Sequence, residues 1–233
     1  MSVYFFSKGK GGRENQDAIG HLVINDKVVV AVADGMGGAA GGAVASNEVI
    51  RYIFEELKKT DNVDYPNLID GARSGLVSLS EKDGALQEMG TTLTLCEING
   101  DICYFFHVGD SRVYHVRGGG LMTRTKDQSE LQYLLDKKVI KKSQAANYSR
   151  RNILLSVLSP SHDYELEMGE FSLESGDRLL LITDGVYNIL AKKELVELSL
   201  ASEDPKVLSE AIALKIESEG AKDDYSCVIY QHP

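Results

Sequence analysis

Residues 27–38, KVVVAVADGMGG, decide the fold. The run VVVAVA within them is wholly apolar and mostly β-branched, which is typical of a strand that is buried on both faces. A strand of this kind needs a packed layer on each side. The run ends at Asp34, and glycines follow it. We therefore expect a central strand over residues 27–33 with an acidic side chain at its end.

Short apolar runs bounded by turns predict six more strands. They cover residues 3–6, 92–98, 102–108, 112–116, 178–183 and 225–230, and Asn99-Gly100 predicts a hairpin between two of them. Apolar stripes predict helices over residues 43–59, 68–79 and 129–137, and Asp204-Pro205 predicts the start of a last helix. This order indicates an α+β fold in which helices cover the outer faces of stacked antiparallel sheets.

Composition argues against several classes of protein. The chain has 233 residues, 43% of them hydrophobic, without repeats or long linkers, so we expect one domain over residues 1–233. A net charge of −10 argues against nucleic-acid binding, and no apolar run approaches the roughly 20 residues that span a bilayer. No secretory signal is visible, and the three cysteines form no CxxC pair. These features favour a cytoplasmic protein with reduced thiols.

Acidic residues stand at the tips of the predicted strands. Asp34 and Asp184 each end an apolar run and precede a glycine. Asp223 and Asp224 come directly before the last strand, and Asp17 precedes another strand-like stretch. Two carboxylates 4 Å apart repel by about 4 kcal/mol at an effective dielectric constant of 20, so a converging set favours hard cations such as Mg²⁺ or Mn²⁺. The alternative is that each acid is an ordinary turn residue, since Asp-Gly is a common turn pair.

Six motifs occur in order along the chain. They are RENQD at 13–17, DGMGG at 34–38, GTT at 90–92, GDSR at 109–112, DG at 184–185 and KDDYS at 222–226. Together they closely resemble the bacterial branch of the metal-dependent protein phosphatase family, called PPM or PP2C, from about residue 7 to 230. The resemblance implies a four-layer α-β-β-α sandwich. It also implies hydrolysis of phosphoserine and phosphothreonine by direct attack of a water that is held between two Mg²⁺ or Mn²⁺ ions.

The resemblance further implies which residues bind metal. Asp34 would bridge both ions, and the carbonyl of Gly35 would bind the second. Asp184 and Asp223 would complete the first ion. Asp17 would serve the second ion directly or through water.

Further roles follow from the same resemblance. Asp127 would bind a weaker third metal together with Asp184. Asp224 would lie next to the metal ligands without binding metal itself. Arg13 would grip the substrate phosphate, because a guanidinium makes bidentate contacts to phosphate oxygens and stays charged at any working pH. Arg13 and Asp34 are thus the expected catalytic residues.

The chain departs from the family pattern close to these residues. Arg13 lies four residues before Asp17 rather than five, so Lys10 is an alternative or additional phosphate ligand. Gln16 occupies a position that is often Glu. Met36 stands where eukaryotic members have a histidine proposed as general acid, which leaves the source of the leaving-group proton open.

Several interpretations stay open at this stage. The main hypothesis is a monomeric cytoplasmic phosphatase that acts on phosphoproteins and opposes a protein kinase, without nucleic-acid or membrane partners. The alternatives are a catalytically silent metal-binding or interaction module and a hydrolase of small phosphoesters. Residues 117–164 have the weakest structural pattern. Their basic residues between 137 and 151 form either a solvated face or a flap that attracts acidic phosphopeptides.

Overall fold

The structure, a computed structural model, describes residues 2–60 and 62–233, without the side chains of residues 38–40. Its strands are β1 (Ser2–Lys8), β2 (Asp17–Ile24), β3 (Lys27–Met36), β4 (Gly90–Thr91), β5 (Leu93–Asn99), β6 (Ile102–Val108), β7 (Arg112–Arg117), β8 (Gly120–Thr123), β9 (Glu167–Ser172), β10 (Arg178–Ile182) and β11 (Tyr225–Gln231). Its α-helices are α1 (Gly38–Leu57), α2 (Tyr65–Lys82), α3 (Glu130–Asp136), α4 (Asp184–Tyr187), α5 (Lys192–Ala201) and α6 (Pro205–Glu219).

The strands form two antiparallel sheets. One has the order β1-β11-β10-β7-β8, and the other has the order β2-β3-β5-β6-β9, with the short β4 paired to the end of β3. Alternate residues of β3, Val28, Val30 and Val32, pack between the sheets against residues of β10 and β11. The other face of β3 packs against α1 and α2. This arrangement confirms that the run at residues 27–33 is buried on both faces.

Helices cover the outer face of each sheet. The apolar sides of α1 and α2 pack on the sheet that contains β3. The opposite sheet is covered by α5 and α6, which bury residues such as Leu195, Leu208 and Ile212 against it. The result is the predicted four-layer α-β-β-α sandwich, and its core is divided into three apolar layers.

The structure extends or adds several predicted elements. Helix α1 begins at Gly38 rather than at residue 43, because small residues allow it to start directly after the turn at the end of β3. Strands β8 and β9 and helix α5 were not predicted, since their short segments have weak apolar patterns. Asp64 and Asp204 cap α2 and α6 by accepting backbone N–H groups. Along the described residues, no helix is both long and apolar enough to cross a membrane.

The cysteines belong to the core. Cys96, Cys103 and Cys227 are buried and free of disulfide bonds. The two histidines near the GDSR motif are also buried and hydrogen-bonded: His107 contacts Thr94, and His115 contacts Asp177. These residues therefore support the sheets.

Candidate active site

Four strand ends meet at one rim of the sandwich. Asp17 at the start of β2 lies opposite Asp34 near the end of β3 in the antiparallel register. Asp184 follows the end of β10, and Asp223 precedes the start of the neighbouring β11. The Thr183 hydroxyl donates a hydrogen bond of 2.8 Å to Oδ2 of Asp17 and so connects the two sheets at this rim. The acids that the sequence places at strand tips are thus gathered at one end of the sandwich.

Asp34 is held through its backbone. Its N–H donates to the hydroxyl of Thr92 at 2.9 Å. Its carbonyl accepts from the Thr92 N–H at 2.9 Å and from the Thr91 hydroxyl at 3.0 Å. Both threonines belong to the GTT motif, so this motif fixes the position at which the Asp34 side chain leaves the sheet.

Gly35 occupies a space that admits no side chain. A Cβ atom there would lie 2.1 Å from the carbonyl oxygen of Gly42 in α1 and 2.6 Å from that of Gln16. The Gly35 N–H also donates to the Gln16 carbonyl at 3.1 Å. Glycine therefore allows the end of β3 to lie directly against α1 and the start of β2.

A cavity of about 290 Å³ opens at this rim. Four of its lining side chains are carboxylates, those of Asp34, Asp110, Asp184 and Asp223. The segment between α3 and β9 adds Asn152 and Leu154 to the wall. A smaller cavity of about 180 Å³ shares Asn152, Asp184 and Asp223 with the first. The site is an open, acidic cleft.

Burial and mutual repulsion raise the pKa values of three acids at this rim, Asp17, Asp34 and Asp184, in the metal-free protein. Burial raises the pKa of Asp17 to about 7 and outweighs the hydrogen bond from the Thr183 hydroxyl, while the charges of Asp224 and Asp223 raise the pKa further. Burial, followed by the charges of Asp110, Asp223 and Asp17, raises the pKa of Asp184 to about 7.

Asp34 is affected in the same way. Burial, followed by the charges of Asp17, Asp184 and Asp110, raises the pKa of Asp34 well above its usual value. These shifts require a compensating positive charge if the carboxylates are to be ionised together at neutral pH.

One oxygen of the cluster lacks a partner. Oδ1 of Asp17 is buried and accepts no hydrogen bond among the described residues, and the residue is only 4% exposed. A buried carboxylate oxygen in this state is costly unless a cation or a donor satisfies it. The surrounding donors are carboxylates, which suit Mg²⁺ or Mn²⁺ better than zinc. The residues present therefore fit hard divalent cations.

The carboxylates do not by themselves make a complete metal cage. Across residues 2–60 and 62–233, no three Asp, Glu, His or Cys side chains are already arranged around one point as metal ligands. Mg²⁺ commonly keeps several waters and takes only one or two carboxylates from the protein. A sparse set of protein ligands is consistent with that preference.

The structure separates Asp127 from this cluster and adds Asp110. The carboxylate of Asp127 forms a two-pronged ion pair with the Arg112 guanidinium, at 2.8 and 2.6 Å, and it lines a different cavity. Asp110 lines the acidic cleft and accepts a hydrogen bond of 2.9 Å from the Tyr187 hydroxyl. Burial, with the charge of Asp127, raises the pKa of Asp110 to about 6.

The sequence analysis assigns Asp110 no role in the site. A signal was available, because Asp110 follows the apolar strand β6 by two residues, much as Asp184 follows β10. Arg112 connects the two acids. Its guanidinium binds Asp127 and also stacks on the Tyr187 ring, 3.5 Å from the ring centre.

Arg13 lies outside the wall of the cleft, on the exposed loop between β1 and β2. Among the described residues, no carboxylate forms an ion pair with its guanidinium. The ammonium of Lys10 instead hydrogen-bonds the carbonyl of Lys222. Met36 lines the cleft and is 39% exposed. In the described part of the chain, the walls of this cleft contain no histidine.

A family model for protein phosphatase 2C matches residues 7–203. The chain belongs to the protein phosphatase 2C family. The curated relative serine/threonine phosphatase stp of Listeria monocytogenes is 28% identical to it over 233 residues, which cover 96% of this chain and 92% of the relative. The predicted family is therefore confirmed.

Solved structures of protein phosphatase 2C type confirm the fold. The crystal structure of the Mycobacterium tuberculosis serine/threonine phosphatase PstP/Ppp matches with a TM-score of 0.86 and 28% identity, covering 99% of both chains. The catalytic domain of the serine/threonine protein phosphatase PstP, crystallised in complex with two manganese ions, matches with a TM-score of 0.84 and 26% identity over 98% of this chain and 96% of that one.

Proposed function

We propose that this protein is a metal-dependent serine/threonine protein phosphatase. The observation that carries the proposal is the convergence of Asp34, Asp184 and Asp223 around one open cleft, with Asp17 buried opposite Asp34 and one of its oxygens left without a donor among the described residues. Membership of the protein phosphatase 2C family and the manganese ions in a related structure support it.

The proposed ligands of the two main ions are those that the family resemblance implies. Asp34, the Gly35 carbonyl and Asp17 lie at the paired ends of β2 and β3, and Asp184 and Asp223 lie at the paired ends of β10 and β11. Two Mg²⁺ or Mn²⁺ ions bound there would lower the pKa of bound water and so supply the nucleophile. Asp110, rather than Asp127, is our proposed partner of Asp184 at a weaker third ion, because Arg112 already occupies both oxygens of Asp127.

Arg13 is our proposed phosphate ligand. Its side chain is exposed on a loop that borders β2, and its guanidinium can bind two oxygens of a phosphate at once. The three cysteines are buried in the core, so a thiol nucleophile is not required and is not proposed. Burial raises the pKa of the Cys227 thiol, which also argues against a reactive thiolate there.

The substrates of this class are phosphoproteins, and an open cleft suits a phosphoserine or phosphothreonine side chain on a protein surface. We further propose that the protein is a single-domain monomer of the cytoplasm and that it reverses the action of a serine/threonine kinase. The buried, free thiols are consistent with a reducing compartment.

The decisive experiment measures phosphate release from phosphoserine and phosphothreonine peptides with Mn²⁺, with Mg²⁺ and with EDTA. We expect turnover with either metal and none with EDTA. Binding of Mn²⁺ without any turnover would support a catalytically silent module instead. A kcat/KM that is higher for small phosphoesters than for every phosphopeptide would favour the small-molecule alternative.

A further inference from the structure

The loop over residues 9–16, between β1 and β2, carries Arg13, and two of its backbone N–H groups bind the same carboxylate, that of Asp224. The Lys10 N–H donates to Oδ1 of Asp224 at 2.7 Å, and the Gln16 N–H donates to Oδ2 of the same side chain at 2.8 Å. The two bonds hold the loop on both sides of Arg13. We call residues 9–16 the arginine loop.

The contacts of Asp224 are strong for a loop at the surface. Backbone N–H groups that donate to an ionised carboxylate make charge-assisted hydrogen bonds, which are about twice as strong as neutral ones. Asp224 is half-buried, so solvent screens these bonds only in part. The Arg13 N–H also donates to the Lys10 carbonyl at 3.1 Å, which completes a tight turn whose start is bound to Asp224.

The tip of the loop has little other support. Gly11 and Gly12 precede Arg13, and a Cβ atom on either would meet nothing within 4 Å. The Asn15 side chain donates to the Ser7 hydroxyl at 2.6 Å and accepts the Asp17 N–H at 3.1 Å. The Gln16 carbonyl accepts the Gly35 N–H, and the Lys10 ammonium hydrogen-bonds the Lys222 carbonyl. Asp224 differs from these groups because its side chain bonds to the backbone on both sides of the open tip.

Asp224 is itself fixed to the acidic cleft. Its N–H donates to Oδ1 of Asp223 at 3.0 Å. Its carbonyl oxygen packs so closely on Gly185 that a Cβ there would lie 1.9 Å from it. Through Asp224, the arginine loop is therefore held in a fixed position relative to the turn that carries Asp223 and relative to Gly185, which follows Asp184.

We propose that Asp224 is a positioning residue for phosphate binding, which sets the distance and direction of Arg13 relative to the acidic cleft. This inference rests on the proposed function, since it assumes that Arg13 receives the substrate phosphate. It assigns Asp224 a role in recognition of the phosphoryl group, exerted through the loop and without binding metal.

The test combines Asp224→Ala with Arg13→Ala in a double-mutant cycle. Inorganic phosphate serves as a competitive probe, and p-nitrophenyl phosphate serves as the substrate. We expect each single change to raise the inhibition constant of phosphate and the KM roughly tenfold, as is typical when a hydrogen bond to a charged group is lost. In the Arg13→Ala background, Asp224→Ala should raise the inhibition constant and the KM by less than about twofold, because the side chain that Asp224 positions is already absent.

Amide hydrogen exchange supplies a readout that does not depend on activity. In Asp224→Ala without metal, exchange at Lys10 and Gln16 should accelerate, while exchange at the β2 amides beyond Ala18 should be unchanged. Asp204→Ala is the matched control, because it removes another carboxylate that accepts a backbone N–H, at the start of α6. This control should leave the phosphate inhibition constant and the loop exchange as they are.

Two results would overturn the proposal. One is that Asp224→Ala raises the inhibition constant of phosphate by the same factor in the protein with Arg13 and in the Arg13→Ala variant. The other is that Asp224→Ala raises the Mn²⁺ concentration for half-maximal activity enough to account for its entire loss of activity, since Asp224 would then act through Asp223. If Asp224→Ala does not fold, Asp224→Asn replaces it and should give a smaller effect of the same kind, because the NH2 group that replaces one carboxylate oxygen cannot accept the N–H bond made at that position. An unmodified protein without phosphatase activity would instead refute the proposed function.

Discussion

Strand β10 has an aspartate next to each end, and the surroundings of the two carboxylates are opposite in charge. Asp177, just before the strand, is 2% exposed. It accepts hydrogen bonds from the side chains of Arg117 and His115 and from the Glu174 N–H. Burial alone would raise its pKa, but the bonds from Arg117, Glu174 and His115 lower the pKa of Asp177 to about 2. The protein itself therefore supplies the hydrogen-bond donors and the positive charge that stabilise the ionised carboxylate of Asp177.

Asp184, just after the same strand, is surrounded by other acids. Its pKa is raised to about 7 by burial and by Asp110, Asp223 and Asp17. Asn188 is its hydrogen-bond donor, at 3.1 Å. The contrast shows how a structural carboxylate differs from one that we propose as a metal ligand. The first has its positive partners within the fold, whereas the second has a deficit of positive charge that an external cation can fill.

The largest expected effect is on catalysis at the acidic end. Asp34→Asn should lower kcat/KM for p-nitrophenyl phosphate with Mn²⁺ by about 10⁴-fold, or about 5 kcal/mol, because the proposed bridging ligand is lost. The unfolding free energy of the metal-free variant should rise by about 1–2 kcal/mol, since one of several repelling charges is removed.

Urea denaturation in EDTA and steady-state kinetics measure the two quantities on the same preparation. Asp136→Asn, which changes an exposed carboxylate paired with Lys126, is a control that should alter neither. Activity of Asp34→Asn within tenfold of the unmodified protein would contradict the two-metal mechanism.

The second effect concerns the pH dependence of stability. Asp17 and Asp184 have pKa values of about 7 in the folded metal-free protein against 3.8 ordinarily. Between these pKa values the two carboxyl groups are protonated in the folded state and ionised in the unfolded state. Their contribution to the free energy of unfolding is therefore fully present below about pH 4 and is lost as the pH rises through 7. We expect a loss of about 4 kcal/mol over this range, which corresponds to a shift of about three pKa units at one carboxyl group. Urea titrations in EDTA at several pH values measure it.

Two comparisons sharpen this expectation. Saturating Mn²⁺ should restore stability at pH 8 and do much less at pH 5, where protons compete for the same oxygens. Asp184→Asn should flatten the slope between pH 4 and 7. An unmodified protein whose metal-free stability is equal at pH 5 and pH 8 would contradict the raised pKa values.

The third effect is structural and belongs to the other end of β10. Asp177→Asn should lower the unfolding free energy by about 3 kcal/mol, because Arg117 and His115 lose the charge of a buried partner. Its activity per folded molecule should stay within about twofold of the unmodified protein, since the change lies at the far end of the strand from the cleft. Denaturation curves and active-fraction kinetics would show this, and an activity loss without a stability loss would reverse the assignment of the two ends.

Much of this contrast could be read from the sequence. The run at residues 27–33 predicts a strand that is covered on both faces, and the acids at 17, 34, 184 and 223 each stand at a strand end. Strand ends gather at the rims of a sheet, so their convergence follows from topology once the strands are known. The apolar pattern carries this information because burial of apolar area determines which residues form the layers.

Contacts between distant segments could not be predicted in the same way. The bond from Tyr187 to Asp110 and the pair between Arg112 and Asp127 depend on how β7, the following loop and α4 pack together. Local sequence does not encode such packing. For the same reason the sequence gives no hint that Asp224 reaches the loop at residues 9–16, more than 200 positions away.

The smallest expected effect separates Asp110 from Asp127. Asp110→Asn should raise the Mn²⁺ concentration for half-maximal activity by roughly tenfold, or about 1.4 kcal/mol, because Asp110 lines the cleft and its charge acts on Asp184. Asp127→Asn should change this concentration by less than about twofold and should instead lower stability, because the Arg112 guanidinium loses its carboxylate. Activity measured across a Mn²⁺ titration, alongside thermal denaturation, compares the two variants.

The opposite ranking would have a clear structural meaning. If Asp127→Asn shifts the Mn²⁺ dependence more than Asp110→Asn, then Asp127 must leave Arg112 when metal binds and turn towards Asp184. The guanidinium of Arg112 would still be held by its stack on Tyr187, so that movement would cost one ion pair and not the whole cluster. Arg112→Lys then distinguishes the cases. It weakens the hold on Asp127 and should tighten Mn²⁺ binding only if Asp127 is the ligand.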